Sequence, residues 1–385
     1  TSGLTKLCTH SFVFGRLSRQ TKVFDIDRAG KLINRSDFLA FQLYGDPFRS
    51  SVSNPLAPAP VPSPADIARN EIAKATFELA VTWARQFARL TWTGTPANNT
   101  AQGGYMEFYG LETLVNDGYR DALTGIACPA ADSIIRDFAS ADVSTNSATA
   151  VRRITNVYRN LKFLATHAGL DPVKWVIAMR FGLFYELTDV WPCAYLSYRC
   201  SVSPGTTNFI NSNDEQAMRN DMRGDLYNYT GQYLLIDGQR VPVIIDDTIP
   251  ETDAGGAFVS DMYFIPLTVL GNIPVTFWES FNYDGPGGPL ELARAFAPAD
   301  SYYTTDGGRF LWHKKPPTNF CVQLLAKTEP RLLLLTPYLA ARYQNFKYQP
   351  VEHERDWDPD VVSYYKDGGQ TAQDTFVPSY YSPTA

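Results

Sequence analysis

The stretch SPADIARNEIAKATFELAVTWARQFARLTWTG, residues 63–94, decides the fold because it predicts one very long helix. Ser63 is a favourable N-cap, Pro64 suits the first helical position, and Asp66 places a negative charge at the positive end of the helix dipole. Apolar residues recur with helical spacing along one face, namely Ile72, Leu79, Trp83, Phe87 and Leu90. Gly94 predicts a left-handed stop. At 1.5 Å per residue the helix would be roughly 45 Å long, so it needs a broad surface on which to lie.

The segment before this helix, residues 11–44, predicts a long β-hairpin. Its arms, residues 11–26 and 32–44, alternate apolar and polar residues, and turn residues join them at 27–31. No partner strand is adjacent in sequence, and an isolated hairpin is only marginally stable. We therefore expect an arm that reaches away from its own subunit and lies on a neighbour. Five prolines between positions 55 and 64 predict a stiff, extended connector to the helix.

The rest of the chain predicts a mixed α+β fold. Helices are predicted over residues 146–169, where Gly169 is the stop, and over 181–190, with a buried strand at 174–179 between them and irregular chain from 192 to 213. A hairpin is predicted at 233–246, turning at Asp237-Gly238. Further strands are predicted at 262–266, 275–280, 319–326, 332–335 and 340–348.

The charge of the chain is distributed unevenly. The net charge of −6 over 385 residues argues against a nucleic-acid-binding module, which is normally basic. Residues 1–60 carry eight basic and four acidic side chains, whereas residues 351–385 carry seven acidic and two basic ones. Opposite charges at the two ends predict contact between subunits, with solvated ends as the alternative. The candidate contact residues are Lys22, Arg28, Lys31, Arg35, Glu352, Glu354 and Asp356.

A search for chemical motifs predicts no catalytic, cofactor or metal site. The five cysteines have no CxxC spacing, so we expect them to be reduced and buried, and the four histidines show no HExxH or HxH pattern. GxSxG, Walker A and GxGxxG motifs are absent from the sequence. Asp246 and Asp247 follow a strand, where neighbouring side chains face opposite sides, so a turn or helix-cap role is expected. No run approaches the ~18 apolar residues of a membrane span, and a soluble protein without a signal peptide is expected.

The order of these parts resembles the major capsid protein of tailed double-stranded DNA phages, which has the Hong Kong 97-type fold. Three stretches carry the resemblance: GGYMEFYGLETLVNDGY at 103–119, LIDGQRVPVIIDDTIP at 235–250, and NFCVQLLAKTEPRLLLLTPYLAARYQNFKY at 319–348. The first is similar to the segment that enters the axial A domain, the second to a strand pair of that family, and the third to strands that close the peripheral P domain.

The resemblance implies five parts of an α+β fold of the Hong Kong 97 type. These are an N-terminal arm, extended E-loop hairpin and connector over residues 1–62, a P domain with its spine helix over 63–125, an A domain over 126–311, closing P-domain strands over 312–350, and an extended C-terminal tail over 351–385. Some family members link subunits covalently through an E-loop lysine. Lys22 and Lys31 lie in the predicted hairpin, but their reaction partners are not identifiable, and no cross-link is claimed.

The resemblance also implies a structural protein of the virion and not an enzyme. Copies of the chain would form the hexamers and pentamers of an icosahedral head around double-stranded DNA, without sequence-specific binding, cofactor or membrane. Expected partners are other copies of the chain and a portal, with a scaffold, a maturation protease or a decoration protein as further candidates, and assembly is expected in the host cytoplasm. A start at Thr1 is compatible with removal of a propeptide. The alternatives are an encapsulin-like nanocompartment and a carbohydrate-active enzyme whose cleft uses the abundant aromatic residues.

Overall fold

The computed structural model describes residues 10–25, 80–99, 106–196, 212–225, 230–253, 257–284, 286, 303–306, 309–318 and 321–348. They form two compact units. The first, the sheet unit, is built from the described residues within Thr1–Ser11, Leu111–Phe277 and Leu333–Ala385. The second, the arm unit, is built from those within Phe12–Gly110 and Trp278–Leu332. The resemblance places boundaries at 125/126 and 311/312 instead, and its assignment of P and A domains stays a prediction.

The sheet unit consists of a mixed sheet covered by helices. Its strands are β2 (Ile134–Asp137), β3 (Lys174–Met179), β4 (Tyr233–Ile236), β5 (Gln239–Ile245), β6 (Glu251–Asp253), β7 (Phe258–Val269), β8 (Ile273–Pro274) and β14 (Ala341–Tyr348), and its helices are α2 (Leu111–Leu114), α3 (Ser147–His167), α4 (Phe181–Leu196) and α5 (Ser212–Arg223). The main strand order is β2-β14-β7-β3-β5-β4, and β6 and β8 also pair with β7. The β14–β2 and β3–β5 pairs are parallel and the others antiparallel. Helices with both parallel and antiparallel strands confirm the α+β class.

The two predicted helices and the strand between them are confirmed. Gly169 has φ +67°, and the Leu170 amide donates to the Ala165 carbonyl at 3.0 Å, which is the predicted left-handed stop of α3. The prediction of irregular chain from residue 192 is wrong for its first five residues, because α4 continues through Pro192 to Leu196. Trp191 is fully buried, and its indole Nε1 donates to the Leu235 carbonyl at 3.0 Å, so tertiary packing retains this last turn.

The predicted hairpin between β4 and β5 is confirmed, including its turn. Asp237 and Gly238 have φ values of 49° and 75°, and two positive values in a two-residue loop match the right-handed twist of the flanking strands. Arg159 of α3 donates to both carboxylate oxygens of Asp237, at 2.6 and 2.7 Å. This contact lowers the pKa of the Asp237 carboxyl and joins the turn to the helix.

The arm unit contains a four-stranded sheet and the described part of the long helix. Its elements are β1 (Leu17–Asp25), α1 (residues 80–93), β10 (Tyr303–Asp306), β11 (Phe310–Thr318) and β12 (Cys321–Thr328). Two further strands, β9 (Thr276–Ser280) and β13 (Pro330–Leu334), pair with each other, and each has residues assigned to both units. The strand order is β1-β12-β11-β10. Residues 63–79, where the first half of the long helix is predicted, lie outside the described residues.

The predicted arm is part of a sheet within its own subunit. Strand β1 runs antiparallel to β12, from Leu17 opposite Thr328 to Asp25 opposite Cys321. The expectation that the arm needs a surface outside its own subunit is therefore wrong for residues 17–25. The partner strand is separated from β1 by about three hundred residues of sequence, and local spacing carries no information about such a pairing. The second arm of the hairpin, residues 32–44, lies outside the described residues.

Gly94 ends α1 for a different reason from the predicted one. It does not have a positive φ, so the prediction of a left-handed stop is wrong. A Cβ at Gly94 would lie 2.5 Å from the Phe108 carbonyl oxygen, and the Gly110 amide donates to the Gly94 carbonyl at 2.8 Å. The glycine is required because two backbone segments of the arm unit cross at this point.

Two cysteines are oxidised, in contrast to the prediction of reduced thiols. Cys128 and Cys193 are each bonded in a disulfide. Disulfide formation depends on the approach of two Cα atoms in the fold, which the absence of a short CxxC spacing does not exclude. The same prediction for Cys8, Cys200 and the Cys321 side chain lies outside what the structure describes.

We expect Cys128 and Cys193 to be protected from alkylation in the oxidised protein. When the denatured chain is treated with iodoacetamide, peptides that contain these two residues should remain unmodified without reductant and become fully modified after reduction. Peptide mass spectrometry measures both states. Modification of either residue without prior reduction would contradict the disulfide assignment.

Candidate assembly surface

Four apolar side chains are exposed at the β7–β8 end of the sheet unit. Leu267, Leu270, Ile273 and Leu335, here called the apolar rim, are between 39% and 52% exposed. The segments that carry them are joined laterally, because the Val275 amide donates to the Leu267 carbonyl at 2.9 Å and the Leu335 amide donates to the Val275 carbonyl at 2.8 Å. The rim therefore consists of neighbouring residues on a hydrogen-bonded framework.

Leu270 is held in an unusual backbone conformation. Its φ is +49°, a value that is rare for a bulky residue and sterically costly. Its amide donates to the Leu170 carbonyl at 2.9 Å, and the next residue, Gly271, donates to the Pro172 carbonyl at 2.9 Å. These bonds fix the turn against the segment that follows α3. A strained conformation that places an apolar side chain in solvent indicates a function for that side chain.

A second exposed apolar site lies in residues 120–127 of the sheet unit, here called the apolar loop. Leu123 is 82% exposed and Ile126 is 53% exposed. Asp121 organises the loop, because its carboxylate accepts from the amides of Leu123 and Thr124 at 2.8 and 2.9 Å. Its own amide donates to the Ile126 carbonyl at 2.8 Å. The loop therefore holds its two apolar side chains on an ordered turn.

Buried groups support the base of the apolar loop. The Tyr119 hydroxyl donates to the Leu114 carbonyl, and the Tyr119 amide donates to the Asp132 carboxylate at 3.0 Å. Burial and the nearby Asp132 charge raise the pKa of the Tyr119 hydroxyl, so it stays protonated and remains a donor at neutral pH. The ring of His10 contacts Tyr119 edge to face at 5.3 Å. The loop is attached to a rigid base.

The two carboxylates after β5 have the structural roles that the sequence predicts. The Asp247 carboxylate accepts from the Phe181 amide at the first residue of α4, at 3.0 Å, and the Asp246 carboxylate accepts from the Thr248 amide at 2.9 Å. The described residues contain no cluster of three His, Cys, Asp or Glu side chains that could hold a metal ion. No helix in that same part of the chain is long and apolar enough to cross a bilayer.

The structure places one of the seven predicted contact residues. Lys22 lies on β1, opposite Gln323 of β12. The other six, Arg28, Lys31, Arg35, Glu352, Glu354 and Asp356, lie outside the described residues, so their role stays a prediction. Sequence reasoning missed the apolar rim and the apolar loop. Their signal is apolar residues beside turn residues, as in Leu270-Gly271-Asn272-Ile273, where polar residues are usual.

The chain resembles solved shell proteins, although no protein-family model and no curated protein sequence matches it. The capsid of cyanophage A-1(L) is 14% identical, with a TM-score of 0.44 over 87% of this chain and 76% of that chain. The SrpI encapsulin of Synechococcus elongatus PCC 7942 is 11% identical, with a TM-score of 0.39 over 89% of this chain and 78% of that one. The capsid of Ralstonia phage GP4 is 8% identical, with a TM-score of 0.36 over 89% and 77%.

This chain resembles phage capsid proteins. It also resembles an encapsulin. The described helices and mixed sheet agree with the α+β fold that the sequence predicts.

Proposed function

We propose that this chain is a capsid protein that assembles with copies of itself into the hexamers and pentamers of an icosahedral phage head around double-stranded DNA. The observation that carries the proposal is the pair of ordered, exposed apolar sites on the sheet unit, the apolar rim and the apolar loop. Large exposed apolar surfaces mark interaction sites in proteins that are otherwise polar outside. Both sites are held by hydrogen bonds before any partner arrives, which lowers the entropy cost of association.

Two different apolar sites on one subunit suit a ring-forming contact. In a heterologous interface, one surface of a subunit binds a different surface of the next, and the contacts close into a ring when the rotation allows it. We propose that the apolar rim of one subunit packs against the apolar loop of its neighbour. Each fully buried leucine or isoleucine side chain contributes roughly 1.5–3 kcal/mol, and many such contacts reinforce one another in a closed shell.

Charged contacts between the chain ends form the second part of the proposal. The basic residues Lys22, Arg28, Lys31 and Arg35 of one subunit would attract the acidic residues Glu352, Glu354 and Asp356 of another. Such pairs contribute more to register and association rate than to affinity. A portal is a further proposed partner, together with a scaffold, a maturation protease or a decoration protein where assembly requires one, and assembly is proposed to take place in the host cytoplasm.

The assembly prediction is tested by charging the apolar rim. We expect the double variant Leu270→Asp/Ile273→Asp to raise the concentration needed for shell formation at least tenfold, because two apolar side chains would no longer be buried between subunits. Light scattering after size-exclusion chromatography, together with electron microscopy, measures the assembled fraction. Asn272→Asp is the matched control, since it adds a charge to the same turn without removing apolar area.

Two results would contradict this function. The first is assembly of the double variant at the same concentration as the unaltered chain. The second is an unaltered chain that stays monomeric at every concentration tested. The contents of particles purified from the native source distinguish a phage head from a nanocompartment. Nuclease-resistant double-stranded DNA inside the particles supports the phage head. Particles that enclose protein cargo without DNA support the encapsulin-like alternative.

A further inference from the structure

The longest described helix, α3, has an outer face without acidic residues. Its sequence, SATAVRRITNVYRNLKFLATH over residues 147–167, contains four basic residues and no Asp or Glu. The exposed residues on one side of the helix are Thr149, Arg152, Arg153, Asn156, Arg159, Asn160, Lys162, Phe163, Thr166 and His167, here called the basic face. In a protein with a net charge of −6, this concentration of positive charge on one surface is unusual.

We propose that the basic face binds the acidic segment of residues 352–360 of the same chain before the subunit joins a shell. This segment reads EHERDWDPD and has five carboxylates within nine residues, with Trp357 between two of them. The inference does not depend on the proposed capsid function, because it concerns a single subunit. The contact between chain ends that is proposed for the shell would replace it on assembly.

The carboxylates within the structure leave positive charge on the basic face. Asp237 pairs with Arg159, and Asp171 accepts from the Thr166 hydroxyl at the end of the helix. Among the described residues, these two carboxylates contact a helix face that carries four cationic side chains. The Arg153 guanidinium lies over the Phe138 ring at 5.6 Å and donates to the Tyr343 hydroxyl, so its side chain is held beside β14. An acidic segment would therefore add favourable charge to this surface.

The chain leaves β14 beside the start of the basic face. The Val143 amide, four residues before α3, donates to the Lys347 carbonyl at 2.9 Å, and the Lys347 amide donates to the Ala141 carbonyl at 3.2 Å. Phe138, which contacts Arg153, also stacks on Phe346 of β14 at 4.7 Å. The acidic segment starts only four residues after Tyr348, so its first carboxylates are within reach of Arg152 and Arg153.

The length of the segment matches the length of the face. Along α3, Phe163 lies about 24 Å beyond Ser147 at 1.5 Å per residue. An extended chain from Tyr348 to Trp357 spans about 30 Å at 3.3 Å per residue. Trp357 can therefore reach Phe163, which is 69% exposed and stacks on His167 with an interplanar angle of 9°. Trp357, which lies between two carboxylates in the sequence, would then contact the Phe163–His167 pair, which lies among cationic side chains.

The test uses zero-length cross-linking of the full chain at a dilution where it is monomeric. A carbodiimide joins a lysine amine to a carboxylate in direct contact, and peptide mass spectrometry identifies the pair. We expect Lys162 to be linked to carboxylates of residues 352–360, and the yield to fall in 0.5 M salt. The internal control is the Lys327–Glu329 pair, whose amine nitrogen and carboxylate oxygen lie 2.7 Å apart. An equal mixture of ¹⁵N-labelled and unlabelled chains should give links within one chain only.

Charge reversal provides a second measurement. Arg152→Glu should lower the yield of links between Lys162 and the acidic segment at least fivefold, while the link between Lys327 and Glu329 is retained. Arg309→Glu, at an exposed arginine of the arm unit, is the matched control and should leave both yields unchanged. The proposal fails if Lys327 is linked to Glu329 but Lys162 is not linked to residues 352–360, or if the links join labelled to unlabelled chains. It also fails if the acidic segment gives no link while added double-stranded DNA protects Lys162, since the face would then bind DNA.

Discussion

Replacing Phe346 with alanine is expected to lower the free energy of unfolding by about 3–5 kcal/mol, the usual range for removing a buried phenylalanine ring. Phe346 is fully buried on β14, within the eight-stranded sheet. Its ring stacks on Phe138 at a centroid distance of 4.7 Å and lies 5.0 Å from Tyr343. The alanine variant would lose this apolar contact and leave a cavity that rigid strands on both sides of β14 cannot close.

Chemical denaturation of the unassembled subunit, followed by circular dichroism, measures this effect. The matched control is Leu123→Ala, because Leu123 is 82% exposed and its removal should change the free energy of unfolding by less than about 0.5 kcal/mol. If Phe346→Ala were as stable as the control variant, the rings around β14 would not be packed as described.

Replacing Gly110 with alanine is expected to destabilise the arm unit by about 3 kcal/mol, at the upper end of the usual cost of overpacking. A Cβ at this position would lie 2.6 Å from the Gly94 amide nitrogen and 2.7 Å from the carbonyl oxygens of Leu90 and Trp92. All three are backbone atoms at the end of α1, so no side-chain rotation can relieve the contact. The crossing would have to open, and the hydrogen bond from the Gly110 amide to the Gly94 carbonyl would be lost.

Gly118→Ala is the control for this variant. Its added Cβ would meet only the Asn116 side-chain amide, at 4.0 Å, and Gly118 does not have a positive φ, so little change in stability is expected. Hydrogen exchange of the amides of α1 and β12 measures the destabilisation within the arm unit. Equal exchange rates in the Gly110→Ala and Gly118→Ala variants would rule out the close backbone crossing.

Features that depend on a few consecutive residues could be predicted from the sequence. The stop of α3 at Gly169, the turn at Asp237-Gly238 and the buried strand at 174–179 are examples, and the structure confirms all three. In each case the conformational preference of the local residues and the tertiary fold favour the same structure. The structural roles of Asp246 and Asp247 follow in the same way, from the opposite directions of neighbouring strand side chains.

Features of the candidate site depend on residues that meet only in the fold. The exposure of Leu270 and Ile273 follows from the position of their turn, whose amides are bound by carbonyls of residues 170 and 172. By composition alone these two residues would be assigned to a core. The oxidation of Cys128 and Cys193 likewise depends on the approach of a second cysteine in the fold.

The sequence by itself determined the α+β class, most helix and strand positions, and the uneven charge that motivates the inference about α3. Only the tertiary structure decided that residues 17–25 pair with 321–328, that Gly94 serves a backbone crossing, and that the apolar rim faces solvent. The physical reason is the separation in sequence between the residues that interact. Turn and helix preferences are set by bonded neighbours, whereas strand pairing, close backbone approach and burial are set by contacts between residues that are far apart in the chain.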